Sequence, residues 1–250
     1  MQPTVAKRIS DPALLRAEAI RTRQGAAIGE ATGLFSVPDV VSAEGRRLVT
    51  TLVPGIVPLR QALHEATRQE AIRIACWAGR VLAAIHARKE PEFGGSSVGW
   101  RGSFTRPDPV WVHGDFGMTN VQIRVKDGTI VVLDWAPPAW ARELSYRASS
   151  HWDVALFLVD MAYQRPRDPL FIRKTRTLSS AFLTAYMESR PTFVPNGLRT
   201  SLAQMTANYY RHAGTGPQRV ARMPSSAALL LNPPSTGKSR PRTNPRRHKK

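Results

Sequence analysis

The amino-acid sequence predicts an α+β fold, with strands gathered in the first third and in one central hairpin, and helices filling the rest. Three observations carry that expectation. Strand patterns mark residues 4–9, and apolar residues alternate through 121–126 and 129–133 on either side of Asp127-Gly128. Helical spacing marks residues 67–87, where Ile74, Ala78, Val81, Leu82 and Ile85 fall on one face. Beyond residue 150 three further segments, 153–163, 169–187 and 198–212, all read as helices.

Taken in order, residues 4–9 form a short strand carrying Lys7, and Ser10-Asp11-Pro12 starts a helix with a capping side chain and a proline in the first turn. That helix covers 13–24 and carries Glu18, with Gly25 as its expected stop. Residues 35–41 and 46–53 read as two strands, the second running into a Pro54-Gly55 turn. A short helix over 59–64 precedes the long one, and His86 at the end of the latter is expected to be structural. Residues 89–109, rich in Gly, Ser and Pro, form a loop that leads into the central hairpin. Asp127-Gly128 suits a two-residue turn with positive φ.

With 250 residues, 42 % of them hydrophobic, the chain can bury a core as one large domain or two small lobes. No apolar run approaches the ~20 residues needed to cross a bilayer, and the first eight residues lack the apolar centre of a secretory signal. The single cysteine, Cys76, lies in an apolar helical pattern, so the expectation is a buried core thiol in a reducing cytoplasm and not a nucleophile. The formal net charge of +18 is uneven: residues 190–250 hold twelve basic residues and no acidic one, leaving twenty-four basic against eighteen acidic before them. Residues 214–250 are expected to be a disordered basic tail, open to weak electrostatic contact with nucleic acid or an anionic surface. Within it Ser235-Thr236-Gly237-Lys238-Ser239 fails as a phosphate loop, because Asn232 stands where the upstream glycine is required and no strand precedes it.

The chemistry concentrates between residues 111 and 135. Asp115 and Asn120 lie five positions apart in a loop opened by His113-Gly114, and the hairpin returns Asp134 to the neighbourhood of Asn120. Two carboxylates and an amide oxygen so placed suit phosphoryl transfer, which asks mainly for positioning. Asp115 would orient an attacking hydroxyl, while Asn120 and Asp134 would offer hard oxygen ligands to Mg²⁺.

The run His113-Gly114-Asp115-Phe116-Gly117-Met118-Thr119-Asn120, followed by Leu133-Asp134-Trp135, resembles the catalytic and metal-binding motifs of the aminoglycoside phosphotransferase and choline kinase-like family. The resemblance extends from about residue 5 to about residue 155. It implies a protein kinase-like two-lobe fold: a truncated N-terminal β lobe over 1–55 and an α-rich catalytic lobe over 56–213. It implies ATP as phosphate donor, Asp115 as catalytic base, Asn120 and Asp134 as magnesium ligands, Lys7 on the nucleotide phosphates and Glu18 steadying Lys7. Main-chain atoms of Thr51 to Val53 would meet adenine, with Thr51 standing where many relatives carry Glu. Asp153, in His151-Trp152-Asp153-Val154-Ala155, would brace the catalytic loop by accepting backbone hydrogen bonds.

The sequence departs from the family in two places. Ala136-Pro137-Pro138-Ala139-Trp140 follows the Asp-Trp pair where an acidic or small polar residue is usual, and Lys7 lies only six residues from Met1. That distance leaves no room for the strands that cover ATP phosphates; a misplaced start, a natural fragment or a degenerate kinase would each account for it. The absence of Asp or Glu after Glu188 argues against a polycationic aminoglycoside as acceptor. Trp135, Trp140, Tyr146 and Trp152 are candidates for an aromatic face against a sugar ring or a quaternary ammonium, or else for packing. Three functions follow as expectations: a kinase of a small hydroxylated molecule, a kinase-shaped binding module without catalysis, and an anionic-polymer binder acting through the tail.

Overall fold

A computed structural model describes residues 2–88, 109–136, 147–163 and 169–212. The first half runs β1 (Thr4–Arg8), α1 (Pro12–Thr32), β2 (Phe35–Ser36), β3 (Val40–Glu44), β4 (Arg47–Thr51), β5 (Ile56–Pro58), α2 (Leu59–Glu65) and α3 (Arg68–Ala87). The second half runs β6 (Pro109–Trp111), β7 (Val121–Arg124), β8 (Ile130–Val132), β9 (Arg147–Ser149), α4 (His151–Tyr163), α5 (Pro169–Ser189) and α6 (Leu198–His212). The loop expected over 89–109 lies outside the described residues except for its last position. The basic tail, Trp140 and Tyr146 lie outside them altogether.

Three small sheets divide the strands. The first has the order β1-β4-β3, antiparallel throughout, with Lys7 opposite Leu48. The second has the order β2-β8-β7-β5 and joins β2 in parallel to the central hairpin. The third pairs β6 with β9.

The helix expected to stop at Gly25 runs on to Thr32. Its start is as read: the Asp11 carboxylate accepts from Ala13 N (2.7 Å) and Leu14 N, and Pro12 follows in the first turn. Its true stop is Gly33, in the left-handed region at φ 65°, where the N–H bonds back to Gly29 O. Glycine inside a helix costs about 1 kcal/mol relative to alanine, and here packing decides. A Cβ on Gly25 would stand 2.3 Å from the Trp135 ring, so only glycine lets the helix approach that indole.

Two strand expectations are also revised. Residues 35–41 split into β2 and the start of β3 around Pro38, which has no N–H to give a ladder. The hairpin pairs as expected, Val121 opposite Val132, but its loop is longer than Asp127-Gly128. Gly128 N donates to Arg124 O and Arg124 N to Thr129 O, leaving residues 125–128 outside the ladder. Gly128 has φ 71° while Asp127 is not among the positive-φ residues, so the two-residue mirror-image turn does not form.

The core sits beneath the hairpin, between α3, α4 and α5. α3 begins on a capping box in which Thr67 and Glu70 satisfy each other's backbone N–H. It crosses α5 at Gly79, where a Cβ would lie 2.3 Å from the Phe182 carbonyl oxygen. Cys76 is half-buried rather than enclosed, its thiol 3.6 Å from Ala181 O. Among the described residues no helix is long and apolar enough to cross a membrane.

Candidate active site

The site forms where α1, β1 and the hairpin meet. Lys7 Nζ donates to Glu18 Oε1 at 2.9 Å and to Asp134 Oδ1 at 2.5 Å, so one ammonium spans the strand, the helix and the end of β8. Burial pulls the lysine down, but the Asp134 and Glu18 carboxylates outweigh it and hold its pKa above the usual value. Burial likewise lifts the Glu18 carboxyl, with Lys7 opposing. Asp134 has φ 51°, a left-handed backbone that costs most L-residues about 1–2 kcal/mol. That twist turns the chain sharply between β8 and buried Trp135.

Asn120 and Asp115 face each other across the loop. Asn120 Nδ2 donates to Asp115 Oδ2 (2.9 Å) and to Asp115 O (3.0 Å), which commits the amide nitrogen and leaves the amide oxygen as the group's acceptor for a cation. Leu133 N donates to Asn120 O at 2.8 Å, so the hairpin brings the residue before Asp134 back to Asn120. Burial is the main force raising the Asp115 carboxyl, to a pKa of about 7; the Asp134 charge adds to it and the Asn120 hydrogen bond opposes. A carboxylate poised near neutrality is matched to taking a proton from a hydroxyl. Among the described residues no group of three or more His, Cys, Asp and Glu is arranged to hold a metal. The Asn-Asp oxygen pair nevertheless has the hard-donor chemistry of Mg²⁺, which draws its remaining ligands from phosphate and water.

The loop is held from below by α4. The Asp153 carboxylate accepts from His113 N (2.7 Å), Gly114 N (2.9 Å) and the His86 ring at Nε2 (3.0 Å), as the family resemblance implied. Burial would raise its pKa, but these bonds prevail and keep it below the usual carboxylate range. His86 is structural as expected, its Nδ1 lying 2.7 Å from the Tyr186 hydroxyl. His113 is fully buried; Asp115 N donates to its Nδ1, so Nε2 carries the proton and donates to Leu133 O at 3.1 Å. Burial lowers this imidazole to a pKa of about 4.

A cavity of about 250 Å³ opens beside Lys7, with Val5, Leu48 and Val53 as apolar wall and Glu18 and Asp134 at its charged end. Thr51 and Val53 both line it. Within 51–53, however, Thr51 N is engaged by Asp39 O and Leu52 N by Pro3 O, while Thr51 Oγ1 accepts from Asp39 N. Of the four aromatic candidates, the two among the described residues take the packing alternative: Trp135 stacks near Trp111 and Phe35, and Trp152 donates to Gly114 O, both fully buried.

Sequence reasoning missed two side chains. Arg21, three residues after Glu18 on the same helix face, donates to Val112 O and His113 O. Asp160, seven residues after Asp153 on the same face of α4, accepts from Met118 N at 2.6 Å. Helical spacing from a residue already singled out was the available signal for both.

No family model matches the chain, and no curated protein matches it. Its structure is similar to that of a glucosamine kinase (TM-score 0.59, 18 % identity, covering 92 % of this chain and 74 % of that one). It is also similar to a glucosamine kinase in complex with glucosamine, ADP and inorganic phosphate (TM-score 0.57, 18 % identity, covering 92 % and 76 %). The chain therefore has an α+β fold like that of these glucosamine kinases.

Proposed function

We propose that this chain transfers the γ-phosphoryl group of ATP to a hydroxyl of a small molecule. The observation that carries the reading is the Lys7 ammonium held between Glu18 and Asp134 at the mouth of a cavity, with Asp115 and Asn120 bonded to each other alongside. Adenine would lie against Val5, Leu48 and Val53, and Lys7 would meet the phosphates. Asn120 and Asp134 would hold Mg²⁺, which when bound offsets the negative charge on the phosphate oxygens. Asp115 accepts a hydrogen bond from the acceptor hydroxyl. As that oxygen bonds to the γ-phosphorus, the bond to the β-phosphate oxygen breaks, ADP leaves with the electron pair, and the hydroxyl proton passes to Asp115. Asp153 and His113 keep the loop rigid while this happens.

Glucosamine, named in one similar structure, is a monocation and the first acceptor to try. A panel of hydroxylated compounds, assayed with Mg-ATP for ADP release, tests the reading. Turnover should vanish in Asp115→Ala while nucleotide still raises the melting temperature. Equal turnover in that variant would refute it. A second reading has its own support: all of β1 is exposed and the Lys7 side chain is 44 % exposed, so bound phosphates would lie open to water. A binding module of that kind would show nucleotide stabilisation with no turnover on any acceptor.

A further inference from the structure

α1 does more than carry Glu18. Its buried face presents Glu18, Arg21, Gly25 and Gly29 in succession, and each meets a different part of the fold. Glu18 takes Lys7, Gly25 meets Trp135, and Gly29 lies against the Phe35 carbonyl. Arg21 reaches furthest. The residue is only 2 % exposed, and its guanidinium donates through Nη2 to Val112 O (2.6 Å) and His113 O (2.5 Å), the two peptides that lead into Asp115. A second arginine secures the same face: Arg88 donates to Gln24 O at 2.8 Å, and both guanidinium groups lie within 6 Å of the Trp111 ring centre.

The segment 112–114 is thus gripped by opposite charges from opposite sides. Arg21 holds two of its carbonyls, while Asp153 holds the N–H groups of His113 and Gly114. Charge-assisted bonds to a buried backbone are the strong kind, and two bonds from one planar Nη2 fix direction as well as distance. Glu18 and Arg21 lie one helical turn apart, so movement of one is movement of the other.

We infer that Arg21 is a positioning residue that transmits the seating of α1, and hence of Lys7 and Glu18, to the catalytic segment that carries Asp115. The kinetic part of this inference rests on the phosphotransfer reading; the backbone part does not.

Hydrogen exchange read by mass spectrometry on the wild type, Arg21→Met and Arg21→Lys, each with and without Mg-ADP, separates the two parts. In Arg21→Met, exchange should rise at least tenfold in peptides covering both 112–118 and α1. Protection of α4 should stay as in the wild type. Mg-ADP should protect 112–118 in the wild type and lose that distant effect in Arg21→Met while still binding. Arg21→Lys, with one ammonium for two carbonyls, should give intermediate protection and stands in if the methionine variant does not fold. Turnover in Arg21→Met should fall about tenfold to a hundredfold, as loss of alignment predicts, with the KM for the acceptor unchanged. Wild-type exchange at 112–118 in Arg21→Met, or in Arg21→Lys should the methionine variant not fold, would overturn the inference. So would a rise confined to α1. Should the wild type bind no Mg-ADP, the phosphotransfer reading fails, and the exchange of the unliganded variants still decides the role of Arg21.

Discussion

Replacing Gly25 by alanine should destabilise the fold even though alanine is the better helix former. The added Cβ would lie 2.3, 2.4 and 2.7 Å from three carbons of the Trp135 indole, about 1.2 Å inside ordinary contact for the nearest. The ring has nowhere to retreat. It is fully buried, packed on Trp111 (5.4 Å between centroids) and His113 (4.5 Å), with Nε1 donating to Val132 O. Alanine gains about 1 kcal/mol in helix propensity, whereas overpacking a rigid core costs about 1–3 kcal/mol or more. With the spacing this short the upper part of that range applies, so a net loss of about 2 kcal/mol is expected. For a chain of this size that lowers the melting temperature by about 4–8 °C, read by circular dichroism. Because Trp135 follows Asp134, the Lys7–Asp134 contact should loosen too, and nucleotide affinity should fall with stability. An unchanged or higher melting temperature would show that α1 does not pack on Trp135 as described.

Asp153→Ala should cost about 2–6 kcal/mol in chemical denaturation, because it strips the acceptor from two buried backbone N–H groups worth about 1–3 kcal/mol each; a loss below 1 kcal/mol would contradict the bonding described. Acid should weaken the fold through His113. Its pKa is depressed in the folded state, from 6.5 to about 4, so the stability it contributes is complete above about pH 6.5 and is lost as pH falls toward 4, by about 3 kcal/mol in all. Urea midpoints measured between pH 7 and pH 4 in the wild type and in His113→Gln should converge toward low pH. Mg²⁺ without nucleotide should bind weakly, since Lys7 already neutralises Asp134 and would have to be displaced. Calorimetry should show tighter Mg²⁺ binding when ADP is present to take over Lys7, and equal binding with and without ADP would contradict that competition.

What could be read from the residues followed the range of the interactions. Asp11-Pro12, the helical spacing over 67–87 and the alternation of 121–133 are local signals, and they mark the start of α1, the span of α3 and the paired strands of the hairpin. The motif spacing from His113 to Asn120 marked a loop whose internal bonds, Asp115 N to His113 and Asn120 to Asp115, run within five residues. Gly25 misled because its reason lies 110 residues away in Trp135, and a glycine packed against an indole looks locally like a glycine that ends a helix. Trp135 and Trp152 were ambiguous for the same reason: an indole's sequence neighbours do not say whether it faces a ligand or the core. Arg21 carried only its spacing of one turn from Glu18 as a signal and was passed over, since arginine in an amphipathic helix is ordinarily a surface residue and its carbonyl partners lie 91 and 92 positions on.

The arrangement explains how an acidic loop can be held still without neutralising it. On the phosphotransfer reading proposed above, Asp115 has to remain free to take a proton, and no cation is paired with it among the described residues. Restraint is instead applied to the backbone on either side, by Arg21 and Asp153 at 112–114 and by Asp160 at Met118. Among the described residues the side chain itself receives only the Asn120 amide, a neutral donor that orients the carboxylate. Burial and the nearby Asp134 then leave its pKa near 7, high enough to accept a proton and low enough to be ionised in a substantial fraction of molecules. A lysine or arginine placed directly on Asp115 would stiffen the loop equally well and depress that pKa, and the proposed base would be lost.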